Sequence, residues 1–365
     1  MSFRKIVAWL LFPLTMWYAV GVWFRNLLFD MGVKRQKVPN VTTIGVGNLC
    51  VGGAGKTPHV EYLLRLLSDH YCTALLSRGY LRKTHGYVAD DGSHSANRLG
   101  DEPAMVAAKF PQVQVAVCEN RVAGVERLLH QSNPPQVVLL DDVYQHRHIK
   151  PTINILLTDY SKPYCNDRMM PFGNLREGRR GRYRANIVVV TKSPQELNPI
   201  DKHNMVSRLR LKPFQKVFFS YIHYCDPMPL LGASPLPLHT VEEVLMVTGI
   251  ANPEPMWQYV SRICEVTLLR FSDHHRFSSA DIKRIRRTFV QMKSARKLIL
   301  TTEKDAARLR ELTDKESMSG LPIYYLPIEV RIHQNGDMSF DQAVQTIVHD
   351  NVLFQERMRH SKYDF

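Results

Sequence analysis

The sequence predicts an α/β protein. A mostly parallel sheet with flanking helices comes first, a second and smaller α/β domain follows it, and a membrane-associated helix stands at the N-terminal end. Three observations carry this. An apolar run at 41–46 leads into a glycine-rich loop and then an amphipathic stretch. Further apolar runs of strand length alternate with helical patterns as far as residue 326, and such alternation builds parallel sheets. The segment from Ile6 to Phe24 contains no charged residue.

That first segment, at about 1.5 Å per residue, reaches roughly the thickness of a bilayer core. Trp9, Trp17 and Trp23 lie in it with Tyr18, and such aromatics favour the membrane–water interface. Pro13 is tolerated in a membrane helix. No small-residue cleavage site follows, which argues against a secretory leader. Arg25, Lys34, Arg35 and Lys37 come next, so the main domain is expected on the cytoplasmic side. The expectation for residues 1–30 is an anchor or interfacial helix.

Val41 to Val46 reads as a buried strand, and Pro58 opens an amphipathic helix running to Leu67. Between them lies Gly47-Asn48-Leu49-Cys50-Val51-Gly52-Gly53-Ala54-Gly55-Lys56-Thr57. Strand, glycine loop and helix in this order make a P-loop. The backbone N–H groups of Gly52, Gly53, Ala54 and Gly55 and the helix N-terminus cradle phosphates, Lys56 reaches the β/γ oxygens, and the Thr57 hydroxyl binds Mg²⁺. Cys50 stands where the usual pattern has glycine, and Gly52 and Gly53 can supply the turn.

Gln136 to Leu140 is an apolar run ending in Asp141-Asp142. Carboxylates at the carboxyl end of a parallel strand face the ligand crevice and can hold Mg²⁺, and two adjacent acids beside a polyphosphate require a cation. Further strands are expected at Thr73–Leu76, Val113–Cys118, Ile153–Leu157 and Ile187–Thr191. The last leads into Thr191-Lys192-Ser193-Pro194, which lacks the aspartate of a guanine-reading T-K-x-D pattern, so ATP is expected rather than GTP.

After about residue 200 a new alternation begins. Strands are expected at Lys216–Tyr221, Val244–Val247, Leu298–Thr302 and Ile323–Leu326, with helices at Pro255–Arg262 and Ser279–Lys293. The expected division is therefore a helix at 1–30, a P-loop domain at 31–200 and a smaller domain at 201–365 that closes over the nucleotide cleft.

Lys and Arg total 48 against 34 Asp and Glu, a net charge of +14. Such a balance suits an anionic membrane, phosphorylated substrates or nucleic acid. No nucleic-acid module is recognisable, so a nucleic-acid partner is not expected. The six cysteines include no C-x-x-C pair, which excludes a zinc ribbon and fits free thiols in a reducing compartment. Nothing in the sequence specifies an oligomeric state.

Several further segments carry a resemblance. They are Gly100-Asp101-Glu102-Pro103, Leu140-Asp141-Asp142-Val143-Tyr144-Gln145-His146-Arg147, Pro171-Phe172-Gly173-Asn174-Leu175-Arg176-Glu177, Gly249-Ile250-Ala251-Asn252-Pro253, Phe271-Ser272-Asp273-His274-His275 and Thr302-Glu303-Lys304-Asp305-Ala306. In this order, and with the variant P-loop, the chain resembles the lipid A 4′-kinase (tetraacyldisaccharide 4′-kinase) family. Val143 and Tyr144 depart from that family's Gly and Phe. The resemblance implies transfer of the ATP γ-phosphoryl group to the 4′-hydroxyl of tetraacyldisaccharide 1-phosphate, giving lipid IVA, at the cytoplasmic face of the inner membrane of Gram-negative bacteria. It implies Asp101 as the base, assisted by His274, with Glu102, Asp141 and Asp142 around Mg²⁺. Asn48, Arg78, Arg121, Gln145, His146 and Arg176 stand as candidate substrate contacts. Arg176, Arg179, Arg180, Arg182 and Arg184 form a dense cluster whose planar forks suit a substrate phosphate, the ATP phosphates or anionic headgroups, unless it is only a solvated basic loop. Two other classes share many of these features, a membrane-tethered P-loop ATPase or switch and a non-catalytic binding protein.

Overall fold

The computed structural model describes residues 3–230, 234–273, 275–310, 318–334 and 338–360. The chain divides into two compact units, Met1–Ile222 with Val330–Phe365, and His223–Glu329. In chain order the first unit contains α1 (Phe3–Asp30), β1 (Thr42–Asn48), α2 (Lys56–Leu67), β2 (Thr73–Ser77), β3 (Val88–Ala89), α3 (Ala96–Leu99), α4 (Asp101–Lys109), β4 (Gln114–Val117), α5 (Arg121–Leu129), β5 (Val137–Asp141), β6 (Ile153–Asp159), β7 (Ile187–Thr191), α6 (Pro199–Leu209) and most of β8 (Lys216–Tyr224). The second holds β9 (Met228–Pro229), β10 (Glu243–Thr248), α7 (Glu254–Val260), β11 (Glu265–Arg270), α8 (Ser279–Gln291), β12 (Lys297–Thr302), α9 (Glu303–Arg310) and β13 (Ile323–Leu326). The chain then returns to the first unit through β14 (Ile328–Ile332) and α10 (Phe340–His360).

Among the described residues the first sheet runs β14-β8-β7-β6-β1-β5-β2-β4-β3. Pairing is parallel from β8 through β4, and β3 joins β4 antiparallel. Its central strands are buried along their whole length, which is why they read as continuous Val, Ile and Leu runs rather than alternating ones. β1 lies between β5 and β6, with Val46 in register with Asp141, so the glycine loop and the acid pair leave the sheet side by side. The segment after β5 lies directly over β1. A Cβ on Gly47 would sit 2.6 Å from the Tyr144 Cβ, and one on Gly45 would sit 2.8 Å from Val143 and Pro151, so both positions require glycine.

One expectation needs correction. The last stretch of the chain belongs to the first unit, not to a domain at 201–365. The reason is the apolar stripe of α10: Phe340, Ala343, Val344, Val348 and Val352 are buried in the same core as Val60, Leu63, Leu64 and Leu67 of α2. Tyr62 Oη donates to Asp341 at 2.6 Å across the same contact. The N-terminal segment is a helix, but among the described residues no helix is long and apolar enough to cross a membrane. Its last turns dock against the segment that follows β5. Phe29 is buried under the Arg147 guanidinium, 5.0 Å from its ring, and Arg147 donates to the Asn26 carbonyl (3.0 Å) and to Asp30 (2.6 Å).

The second unit has a sheet ordered β11-β10-β12-β13-β9, parallel except for β9. Buried Leu245, Val247 and Ile299 line one of its faces with Ile282 and Ile285 of α8, and Val244, Met246, Leu298 and Leu300 line the other with Met256 and Val260 of α7.

Candidate active site

β1 ends at Asn48 and α2 begins at Lys56, with the glycine loop between. Gly52 (φ +112°) and Gly55 (φ +79°) hold the left-handed conformations that turn the chain into the helix. No side chain caps this N-terminus, so the first-turn N–H groups are left for an external acceptor. A Cβ added at Gly52 or Gly53 would meet nothing within 4 Å, so these residues face open space rather than packing.

Three supports hold the loop. Val51 N donates to Asn174 O (2.7 Å) and Arg176 N to Leu49 O (2.8 Å), strapping its first half to the segment 174–176. Lys192 donates to the Gly53 carbonyl and to Asp159 Oδ2 (2.9 Å) on the other flank. Buried His59 contacts Gly55 O through Nδ1 at 2.7 Å and Ser220 Oγ through Nε2 at 2.8 Å. A carbonyl only accepts, so Nδ1 carries the proton and Nε2 accepts from the serine. Burial pushes this imidazole down to about 4, so it is neutral at physiological pH.

The charged groups gather where β1, β5 and β2 end. Lys56 Nζ lies 3.4 Å from Asp142 Oδ1 and 3.4 Å from Asn48 Oδ1. Arg176 Nη1 donates to both Asp142 oxygens, at 3.2 and 3.1 Å. Burial alone would raise the Asp142 carboxyl, but Lys56 and Arg176 hold it below the ordinary carboxylate range. Asp142 adopts φ +46°, which turns the chain sharply after β5.

Asp141 behaves oppositely. It is buried, its Oδ2 accepts from Ser77 Oγ of neighbouring β2 at 3.1 Å, and its Oδ1 has no hydrogen-bond partner. Burial, then Glu102 and Asp142, push it up to about 6 against Lys56 and the serine. Glu102 comes close because the turn after β2 crosses the start of α4. A Cβ on Gly100 (φ +90°) would lie 2.7 Å from Tyr80 O. Asp101 and Glu102 then form the first turn of α4, both partly exposed.

A lysine-bearing glycine loop lies beside buried Asp141 and half-buried Asp142, the arrangement expected of a nucleotide site, and comparison with known proteins says of which family. The family model described as tetraacyldisaccharide-1-P 4′-kinase, LpxK, matches residues 7–349. The chain belongs to this family. It is 44% identical over 371 residues to the tetraacyldisaccharide 4′-kinase of Bacteroides thetaiotaomicron, covering 97% of each chain. It is 44% identical over 349 residues to that of Flavobacterium johnsoniae, covering 94% of this chain and 97% of the other. Among solved structures, a crystal structure of LpxK from Aquifex aeolicus in complex with ATP is similar with a TM-score of 0.73 at 27% identity, covering 95% of this chain and 99% of that one.

Within this LpxK-family fold the candidate substrate contacts separate. Asn48 is buried and donates to Cys50 O (2.6 Å) while its Oδ1 faces Lys56, so it orients the lysine. Gln145 donates to Asn48 O (2.8 Å) and Glu177 Oε1 (3.1 Å) and faces Arg176 at 3.3 Å. Arg78 is exposed at the end of β2. His146 is partly buried, and burial followed by Arg121 lowers its imidazole. Arg121 corrects the expectation. It is fully buried and donates to Cys118 O (2.6 Å) and Asp141 O (3.1 Å), so it braces the end of β5 from beneath instead of projecting toward a ligand.

The structure also shows supports to which sequence reading attached no role. Ser77, His59 and Lys192 are three. A fourth is buried Glu177, which accepts from Arg184 (2.8 Å), Gln145 (3.1 Å) and Asn26 of α1 (3.3 Å). Tyr18 Oη of α1 donates to Arg176 O at 2.8 Å. The docked helix therefore touches the backbone of the arginine that pairs with Asp142.

In the second unit three family segments converge where β10, β11 and β12 end. Asp305 is fully buried and accepts from Gly249 N (2.9 Å), Thr302 Oγ1 (2.8 Å) and Arg308 (2.9 Å). A Cβ on Gly249 would lie 3.1 Å from Asp305 Oδ1 and 3.3 Å from the His275 Cβ. His275 stacks on Phe271 at 4.8 Å and pairs with Asp281 at 3.0 Å. His274, the expected partner of the base, lies outside the described residues.

Among the described residues no group of three His, Cys, Asp or Glu side chains is already arranged around an ion. Mg²⁺ keeps several waters and is held by one or two carboxylates plus substrate phosphates. The orphaned buried Oδ1 of Asp141 and the buried Thr57 hydroxyl are donors of the right chemistry for it.

Proposed function

We propose that this chain transfers the γ-phosphoryl group of ATP to the 4′-hydroxyl of tetraacyldisaccharide 1-phosphate, at the cytoplasmic face of the bacterial inner membrane. The observation that carries the reading is Lys56 at the mouth of the glycine loop, 3.4 Å from Asp142 and beside buried Asp141. The Aquifex aeolicus relative crystallised with ATP supports the choice of nucleotide.

In this reading the loop N–H groups and the uncapped start of α2 bind the β- and γ-phosphates, and Lys56 leaves Asp142 to reach them. Thr57, Asp141 and Asp142, with Glu102 nearby, hold Mg²⁺, which supplies neutralisation of the triphosphate charge. Arg176 remains to keep Asp142 ionised. Asp101 accepts the proton of the 4′-hydroxyl as its oxygen bonds to the γ-phosphorus and the bond to the β–γ bridging oxygen breaks, releasing ADP. The exposed apolar residues Leu14, Trp17, Val20, Trp23 and Phe24 of α1 seat the protein on the membrane surface, where an acylated sugar presents its hydroxyl.

Phosphorus NMR of the lipid product tests the assignment. A new phosphomonoester at the 4′-position, formed only with Mg²⁺ and ATP, is the expected result. Loss of product in Asp101→Asn with unchanged ATP binding would place Asp101 in the chemical step, and a near-normal rate in that variant would remove it from that role.

A further inference from the structure

The arginine cluster does not act as one group. Arg176 pairs with Asp142 and Arg184 with Glu177, but Arg179 and Arg182 turn elsewhere. With Arg208 and Arg210, from the end of α6, they line a pocket of about 250 Å³ that also takes in Cys165 and Asn166. Part of its wall is fixed by hydrogen bonds. Arg182 donates to Arg210 O (3.0 Å), Arg179 O (2.8 Å) and Tyr183 Oη (2.7 Å), and its guanidinium lies over the Tyr183 ring at 4.3 Å. Arg179 donates to Asp167 O (2.8 Å). Buried Tyr164 donates to Leu209 O (2.9 Å) and pins the end of α6.

Every acceptor these arginines meet is a neutral carbonyl or hydroxyl, and no carboxylate lines the pocket among the described residues. Four arginines lining one small volume repel one another, and the partial negative end of α6 offsets only a fraction of that charge. Guanidinium forks with unused N–H groups match phosphate oxygens in geometry as well as charge.

We propose that this pocket binds a phosphate-type anion with residues other than those of the nucleotide site. The chemistry is that of a phosphodiester headgroup or a free phosphate, and two measurements on the full chain separate the sources. One is partition onto vesicles of phosphatidylglycerol against vesicles of phosphatidylcholine. The other is binding of labelled inorganic phosphate with the glycine loop saturated by ATP. Arg208→Glu is the main variant, because among the described residues that side chain makes no hydrogen bond or ion pair that the change would remove. Arg208→Gln is the milder one, and Arg287→Glu on exposed α8 controls for net charge.

If the ligand is a headgroup, Arg208→Glu weakens partition onto the anionic vesicles at least fivefold and Arg208→Gln less, while Arg287→Glu and the neutral vesicles show no change. If it is free phosphate, partition holds and phosphate binding falls at least fivefold in Arg208→Glu. Equal behaviour of Arg208→Glu and Arg287→Glu in both measurements would overturn the proposal.

Discussion

Lys56 Nζ stands 3.4 Å from Asp142 Oδ1, with Arg176 on the same carboxylate at 3.1 Å. The two cations keep Asp142 ionised, but only the lysine sits on the glycine loop, so a phosphate can draw it away while the arginine stays. Lys56→Ala should lower kcat by roughly 10²–10³-fold, the range seen on removing one preorganised donor to developing charge. Arg176→Ala should act more on the Mg²⁺ requirement, raising the concentration for half-maximal rate. Steady-state kinetics over a Mg²⁺ series distinguishes them, and identical profiles would refute the division of roles.

Asp141 is held in a form that suits function better than stability. Its carboxyl rises from 3.8 to about 6 in the fold. The stabilising contribution of this group is present below pH 3.8 and lost as pH rises through 6, so at pH 8 its buried charge costs up to about 3 kcal/mol. Asp141→Asn should therefore raise the melting temperature at pH 8 by several degrees without Mg²⁺, while abolishing turnover. Calorimetry of both proteins with and without Mg²⁺ and ATP checks this. A destabilised variant would show that the carboxylate is not strained.

His59 gives the opposite pH signature. Burial lowers its imidazole from 6.5 to about 4, so the unfolded chain takes up this proton first. Stability from the group is full above pH 6.5 and falls by roughly 3 kcal/mol as pH drops toward 4. Urea unfolding at pH 7 and pH 5 should show that slope in the native protein and a shallower one in His59→Gln. Parallel slopes would mean His59 is not the group responsible.

Asp305 anchors the end of β10 to the start of α9 in the second unit. Asp305→Ala strands the Gly249 N–H and Arg308 in a buried site, a loss of about 3–5 kcal/mol in the second unit. Hydrogen exchange should show faster exchange across β10 and β12, with ATP binding at Lys56 kept. Protection equal to the native protein would return Asp305 to the functional candidates.

Much of this was legible in the sequence because single residue types were decisive. Gly52, Gly55, Lys56 and Thr57 announce a phosphate loop, and an apolar run ending in Asp141-Asp142 announces its neighbouring strand. The supports were harder to see, because they depend on contacts distant in sequence. His59 meets Ser220, Glu177 meets Asn26, and Tyr18 meets Arg176, each more than 140 positions away. Arg121 stands among the candidate substrate contacts in the sequence, and only its burial and its bonds to the Cys118 and Asp141 carbonyls reveal a brace. α10 was missed because its apolar stripe is interrupted by polar residues and its partner is the distant α2. The N-terminal run reads as an anchor or interfacial helix by its lack of charge, while most of its docking residues, Asn26, Phe29 and Asp30, lie just past that run, with Tyr18 inside it.

The most direct test of the central claim follows γ-labelled ATP into products with Mg²⁺ and detergent-dispersed tetraacyldisaccharide 1-phosphate. The account predicts label in the lipid with the native chain and almost none with Lys56→Ala. Label released only as free phosphate, with the lipid unlabelled, would contradict it and make the protein an ATPase.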